Sequence, residues 1–215
     1  MARPVSAARR LLDRAVSALA AGQVVAIPTD TVYGLAVLPG VLGASSALFA
    51  AKGRPRHLEL PVLVADEEQA DQLAGPSGLP ETARRLARAF WPGPLTLVVM
   101  RRPGLDWDLG GDVTTVGVRC PDHALARELC HRVGPLATTS ANRHGEPPLA
   151  TASAVRGEFG SAMVVVDGGR CDGMPSTVVD LTADPVRCLR AGSIDWESVV
   201  EVVSRLQLPP SAAPG

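Results

Sequence analysis

This 215-residue chain carries 21 basic residues, and only one of them, Lys52, is a lysine. Asn142 is the only asparagine and Tyr33 the only tyrosine. A composition that otherwise excludes these side chains must have a reason to retain each once. A lysine ammonium is a compact point charge that can follow a phosphate, whereas a guanidinium forks around one. Lys52 and Arg54, in Lys52-Gly53-Arg54-Pro55, would together clamp a polyphosphate. A cation at a helix end also suits the macrodipole, although arginine would serve that purpose equally well. Asn142 closes Thr138-Thr139-Ser140-Ala141-Asn142, in which four of five side chains can hydrogen-bond. An amide donates and accepts at once, as a ligand edge requires; an Asx or ST turn would use the same residues. Tyr33 falls in Thr29-Asp30-Thr31-Val32-Tyr33-Gly34, a polar run that reads either as a cleft wall or as a turn. Arg119 ends an apolar strand, where it either snorkels to solvent or faces a carboxylate. Ser176 precedes a strand and Arg190 ends one.

The remaining chemistry is sparse. Cys120, Cys130, Cys171 and Cys188 have no C-x-x-C spacing, which argues against a zinc ribbon or a thioredoxin-like site. The four histidines form no H-E-x-x-H, and no G-x-S-x-G, Walker A or G-x-G-x-x-G element is present. Net charge is −1 and aromatic residues are 3%, a poor match to a general nucleic-acid coat protein. No apolar run is long enough for a membrane span, and the first residues lack a signal-peptide pattern. A cytoplasmic protein with reduced thiols is expected.

The elements that must position these groups follow from periodicity. Helices are expected at Ser6–Ala21, Val41–Lys52, Glu67–Leu73, Pro80–Phe90, Asp122–Val133 with Asp122 as N-cap, and Asp195–Leu206. Strands are expected at Gln23–Ile27, Pro61–Ala65, Leu95–Met100, Thr114–Arg119, Pro135–Thr138, Met163–Val166, Thr177–Leu181 and Val186–Leu189. The mixture lacks a clean βαβ repeat, which predicts an α/β (α+β) domain with a mixed sheet. Residues 1–208 read as one domain and 209–215 as a disordered tail.

Taken in order, P-T-D-T-V-Y-G-L, K-G-R-P, W-P-G-P-L-T, T-V-G-V-R-C-P, S-A-N, P-S-T-V-V-D and L-R-A-G-S resemble the YrdC-type L-threonylcarbamoyladenylate synthases. The matches cover about residues 10 to 200. The resemblance implies a twisted mixed sheet flanked by helices, with a large open concave cavity, in the short single-domain bacterial form. It implies a nucleotidyltransferase that condenses L-threonine, bicarbonate and ATP into threonylcarbamoyl-AMP, releasing pyrophosphate. This is the first step of N6-threonylcarbamoyladenosine formation at tRNA position 37. Such chemistry needs positioning and charge neutralisation more than a dedicated base.

Residue by residue, the resemblance assigns L-threonine to Thr31, Tyr33, Arg119, Ser140 and Ser176, with Arg119 on the carboxylate. It assigns ATP to Arg54, Thr115, Asn142 and Arg190, with an exposed Lys52 near the phosphates. The pairs Lys52/Arg54 and Ser140/Asn142 are the implied catalytic elements. Mg²⁺ is expected to arrive with ATP, bridging phosphates without a full set of protein ligands. The implied partner is a separate tRNA threonylcarbamoyl transferase complex, with direct tRNA contact at most weak and no membrane contact. Leu58 and Leu63 depart from the family pattern at positions where polar contacts to nucleotide and threonine are common; Arg56 or His57 could substitute. Two alternatives accompany this reading: a carbamoyl-adenylating module like those of hydrogenase-maturation carbamoyltransferases, and a non-catalytic RNA-binding protein of the same fold.

Overall fold

The computed structural model describes residues 7–204. Nine strands form one mixed sheet in the order β7-β1-β2-β6-β3-β5-β4-β8-β9. They are β1 (Val25–Ile27), β2 (Gly34–Val37), β3 (Val62–Leu63), β4 (Leu95–Met100), β5 (Thr115–Arg119), β6 (Leu136–Ser140), β7 (Val164–Val165), β8 (Thr177–Asp180) and β9 (Arg187–Arg190). The helices are α1 (Ala7–Ala20), α2 (Ala44–Lys52), α3 (Glu67–Leu73), α4 (Glu81–Phe90), α5 (Ala124–Val133), α6 (Ala152–Phe159) and α7 (Trp196–Ser204).

The two sheet faces differ because side chains alternate along a strand. Leu95, Leu97 and Val99 of β4 and Val116 and Val118 of β5 join one buried core with residues from α2, α3, α4 and α7. Val25, Ile27, Ala36, Leu63 and Leu136 point the other way, into a second core with Leu12, Ala15 and Leu19 of α1 and Ala126, Leu129 and Cys130 of α5. That second face is covered by helices only over part of the sheet. Across β5, β4 and β8 it presents Arg119, Gly117, Thr96, Val98 and Val178, all of which line cavities. The register fixes this: Val98 pairs with Gly117, Thr96 with Val178, and Leu63 with Arg119. An uncovered patch of sheet face is thus the floor of the cleft.

Local sequence explains most element ends. Gly53 ends α2 in the left-handed region, at φ 67°, placing Lys52 at its last position. Only glycine adopts this without strain. Asp66 caps α3, its side chain accepting from the Gln69 amide at 2.9 Å, an arrangement contributing about 1 kcal/mol.

Several expectations change. The structure adds β2, a short strand whose four residues are all buried, so no alternation marks it. It adds α6, which contains Gly157 and is capped by Thr151. Asp122 is not the cap of α5. His123 occupies that position without a side-chain cap bond, and Asp122 instead accepts from Arg127. The α2 helix starts at Ala44, because Val41–Gly43 form a turn. The expected start at Ser6, the end at Leu206 and the 209–215 tail lie outside the described residues.

Candidate active site

Two adjoining cavities occupy the bare sheet face. The first, about 160 Å³, lies among the ends of β1, β5 and β6 and the start of β8. The second, about 250 Å³, extends along β4, β5 and β8 towards β9. They share Arg54, Pro61, Thr96 and Arg190 as a common boundary. Neither alone has the 300 Å³ or more of a typical drug-sized site (about 300–1,000 Å³). Together they suit a small polar molecule joined to a larger one.

Arg119 anchors the inner end of the first cavity. It is 6% exposed. Its Nε donates to the Gly93 carbonyl at 3.0 Å, Nη1 to the Thr31 hydroxyl at 3.0 Å, and Nη2 to Asp30 at 2.5 Å. Burial lowers its pKa, and Asp30 opposes that fall. A guanidinium stays charged in either case and has five N–H donors, so two remain for a carboxylate. Thr29 makes this possible. Its hydroxyl accepts from the amides of Thr31 and Val32 at 3.2 and 3.1 Å, an ST turn that presents Thr31 to Arg119. The turn and the cleft wall are therefore one structure, not alternatives.

Arg54 and Arg190 mark the boundary. Arg54 donates to the carbonyls of Leu58 and Glu59 at 3.0 and 2.9 Å. Arg190 donates to the Ser176 carbonyl and hydroxyl, and Ser176 pairs with Thr96 at 2.9 Å. Burial lowers the pKa of Arg54 and the nearby Arg190 charge lowers it further. An anion between the two would relieve that repulsion. Leu58 contributes only its backbone carbonyl, which accepts from Arg54, while Leu63 forms an apolar part of the first cavity wall. Arg56 does not substitute for either, because it pairs with Asp108 and lies 4.8 Å over Phe49. His57 is exposed.

The rare residues sit one layer behind. Lys52 is not exposed; it is 3% accessible. Its Nζ lies within 2.7–3.2 Å of four oxygens: the carbonyl and hydroxyl of Ser140, and the carbonyl and Oδ1 of Asn142. Burial, with the Arg54 charge adding to it, pushes its pKa down to about 8. Asn142 spends its other side-chain group on the carbonyls of Arg143 and Glu146. Ser140 lines the first cavity, whereas Lys52 and Asn142 line neither cavity. The pair instead ties the end of α2 to the end of β6. Tyr33 is fully buried. Its hydroxyl donates to the Gly169 carbonyl and accepts from the Gly168 amide, so it holds the segment after β7 rather than the cavity wall. Thr115 donates to Glu59 at 3.3 Å, beside the second cavity.

Sequence reasoning missed Asp30, Thr96 and Glu59. Asp30 stood within a quoted motif, but nothing in its spacing points 89 residues ahead to Arg119. Thr96 alternates with Leu95 and Leu97, a signal that could have placed it on the uncovered face. Glu59 lies between two leucines and carries no local signal. Its carboxyl pKa is pushed up to about 7, first by burial, against the Thr115 hydroxyl and Arg101. Relative to an ordinary 4.5, this group's stabilising contribution is full at acid pH and is lost as pH climbs through about 7. Melting curves at pH 6 and 8 should therefore show the wild type losing more stability than Glu59→Gln. Equal shifts would contradict the assignment.

The fold and cavities define an α/β small-molecule-binding protein whose cleft gathers three guanidiniums among hydroxyls. Its relatives narrow that class. Residues 17–192 match the Sua5/YciO/YrdC family model, described as "Telomere recombination". The chain belongs to the Sua5/YciO/YrdC family. It is 44% identical over 191 residues to a Mycobacterium tuberculosis protein, covering 88% of this chain and 87% of that one. It is 38% identical over 193 residues to the threonylcarbamoyl-AMP synthase of Pyrococcus abyssi, covering 88% of this chain and 56% of the longer relative. The crystal structure of Pyrococcus abyssi Sua5 complexed with L-threonine superposes with a TM-score of 0.83 at 37% identity, over 89% of this chain and 57% of that one.

Proposed function

We propose that this chain is a threonylcarbamoyl-AMP synthase, condensing L-threonine, bicarbonate and ATP into threonylcarbamoyl-AMP with release of pyrophosphate. The observation that carries this reading is the arrangement of charge. One guanidinium, Arg119, is fixed at the closed end of a threonine-sized cavity, and two more, Arg54 and Arg190, stand where that cavity meets a larger one. Relatives named threonylcarbamoyl-AMP synthase support it.

Arg119 and Thr31 take the threonine carboxylate, with Ser140 and Ser176 nearby for its polar groups. Val32, Leu63, Pro148 and Pro175 offer an apolar wall for its methyl group. A methyl pocket separates threonine from serine by only about 1–3 kcal/mol. The amine and bicarbonate form a carbamate, losing water. A carbamate oxygen then attacks the α-phosphorus, and pyrophosphate leaves. Arg54 and Arg190 neutralise the developing charge, a role that needs fixed cations rather than a general base. Both are pre-set by hydrogen bonds to backbone carbonyls. Lys52 and Asn142 act indirectly, by holding Ser140. Among the described residues no three His, Cys, Asp or Glu side chains gather for a metal. Magnesium enters as the ATP complex, as substrate, with the phosphates as its main ligands.

The product is an unstable mixed anhydride, so a separate tRNA threonylcarbamoyl transferase complex consumes it. No helix among the described residues is long and apolar enough to cross a membrane; a cytoplasmic site of action fits this role.

The direct test is pyrophosphate release by purified protein with ATP, bicarbonate and magnesium, with and without L-threonine. Threonine-dependent release is expected, and its absence would end the proposal. A second test blocks the nucleotide alone. A Cβ added to Gly117 would meet Thr96 and Pro61 at an ordinary 3.5–3.6 Å. Gly117→Ala, which adds that one atom, should keep its melting temperature while calorimetric ATP affinity falls several-fold, because the methyl stands on the nucleotide floor. Unchanged ATP binding would place the nucleotide elsewhere.

A further inference from the structure

Arg119 and Asp30 form a pair that is only half made. A guanidinium has two forked edges, one between Nε and Nη2 and one between Nη1 and Nη2, and a carboxylate beside it frequently closes such a fork with both oxygens. Asp30 uses one oxygen, on Nη2. Its second oxygen, Oδ2, is buried and has no hydrogen-bond partner. Buried acceptors are rarely left so, and each case has a cause. Here the Nε position is already taken by the Gly93 carbonyl, at 3.0 Å. Asp30 is therefore limited to one bond. Nη1, which also serves Thr31, and Nη2 each keep one hydrogen for a ligand.

The Gly93 carbonyl is fixed by the loop between α4 and β4. Trp91 follows the last turn of α4, its amide donating to the Ala87 carbonyl at 2.7 Å. Its indole Nε1 donates across the loop to the Leu95 carbonyl, also at 2.7 Å. The Pro94 carbonyl accepts from the Thr177 amide at 3.0 Å, which ties the loop to β8. Gly93 itself donates to the Cys120 carbonyl at 2.8 Å, so it holds Arg119 by the side chain and by the next residue. A Cβ at Gly93 would stand 2.3 Å from the Phe90 carbonyl oxygen, so glycine alone lets the loop lie this close to the end of α4. Neither Trp91 nor Gly93 lines either cavity.

We infer that the Trp91–Leu95 loop positions Arg119 for threonine by keeping the Gly93 carbonyl on Nε, which stops Arg119 from closing a two-bond pair with Asp30. A released Nε would swing to Oδ2. The guanidinium would turn with it and take the Nη1–Nη2 edge out of register with Thr31 and the cavity. Asp30 Oδ2 stays unpaired because satisfying it would cost the substrate carboxylate its anchor. Trp91 and Gly93 are positioning residues that act through Arg119. The inference rests on the part of the synthase reading that puts the threonine carboxylate on Arg119.

The test is a double-mutant cycle. Wild type, Trp91→Phe, Asp30→Asn and the double variant are assayed for kcat and for KM with threonine and ATP. Calorimetric affinities are measured for L-threonine and for L-threoninamide, in which an amide replaces the carboxylate. Phenylalanine keeps an aromatic ring in the loop and cannot donate to Leu95. Trp91→Phe should raise the threonine KM about 3- to 10-fold and leave the ATP KM within about twofold. Its affinity for threoninamide should barely change. In the Asp30→Asn background the same change should cost less than about twofold, because an amide offers Arg119 one acceptor and cannot close the pair. Val99→Ala, in the buried core behind β4, should melt lower and still prefer threonine over threoninamide as the wild type does, which separates positioning from folding. An unchanged threonine KM in Trp91→Phe, an equal fall in threonine and ATP affinity, or a loss that Asp30→Asn does not blunt would each overturn the inference. If Trp91→Phe is too unstable for kinetics, the ratio of threonine to threoninamide affinity on its folded fraction decides by the same criterion. A wild type that binds threonine yet releases no pyrophosphate would sink the synthase reading alone, whereas an active wild type without these effects would sink only this inference.

Discussion

Arg119→Lys should fold and should lose threonine-dependent pyrophosphate release by about 100-fold or more in kcat/KM for threonine. The lysine keeps a positive charge beside Asp30, so the 2.5 Å pair is replaced rather than orphaned. What disappears is the fork. Arg119 uses three donors on Gly93, Thr31 and Asp30, and the remaining two can grip a carboxylate in a fixed plane. An ammonium has three donors in all and cannot do both. Loss of one partner of a buried charge pair costs about 2–5 kcal/mol, which corresponds to the expected fall. Activity within threefold of wild type would mean that threonine is anchored elsewhere. Arg119→Ala should be worse in a different way, losing about 2–4 kcal/mol of stability because Asp30, 14% exposed at its side chain, is left without its charged partner. Adding Asp30→Ala to it should restore part of that stability and none of the activity. Thermal melts and pyrophosphate assays on the same preparations separate the two effects.

Lys52→Ala should destabilise the protein by roughly 2–4 kcal/mol, since it removes a buried charged donor from four oxygens and leaves a cavity. For a domain of this size that lowers the melting temperature by about 5–15 °C. Lys52→Met, which fills the volume without donating, should recover only the packing part. Lys52→Arg should also be unstable, because a planar fork does not fit a cage built around an ammonium. Activity should fall in all three through displacement of Ser140, whose carbonyl and hydroxyl Lys52 holds. A Lys52→Ala protein that melts like wild type yet is inactive would instead return Lys52 to the phosphates.

The sequence and the structure agree most where local signals are strong. Leu95–Met100 is read as a strand and is one, because its apolar side chains at Leu95, Leu97 and Val99 all find one core. Glu67–Leu73 is read as a helix and is one, with Asp66 as the cap that the structure adds. Agreement fails where tertiary burial outweighs pattern. Gly34–Val37 is buried on both faces, so no period of two is visible. Ala152–Phe159 is short and carries a mid-helix Gly157, which lowers its intrinsic propensity. At the site, Thr31, Arg54, Arg119, Ser140, Ser176 and Arg190 come together at the first cavity. Tyr33, Lys52 and Asn142 do not reach it, although their rarity first drew attention. Rarity reflects a demand on side-chain chemistry, and a buried structural cage makes that demand as strongly as a ligand does.

The sequence by itself determined the chemical inventory: hydroxyls and guanidiniums at strand ends, no nucleophilic thiol motif, no metal-ligand spacing. It also determined most of the elements, since 3.6- and 2-residue periods are local properties. Only the tertiary structure decided which groups share a cavity. Arg119 meets Thr31 across 88 residues, and Lys52 meets Ser140 across 88. Those meetings depend on a strand order that places β3 between β6 and β5, which no local pattern specifies. The same order leaves one stretch of sheet face uncovered, and that uncovered face made Asp30, Thr96 and Glu59 part of the site while placing the lone lysine behind its wall.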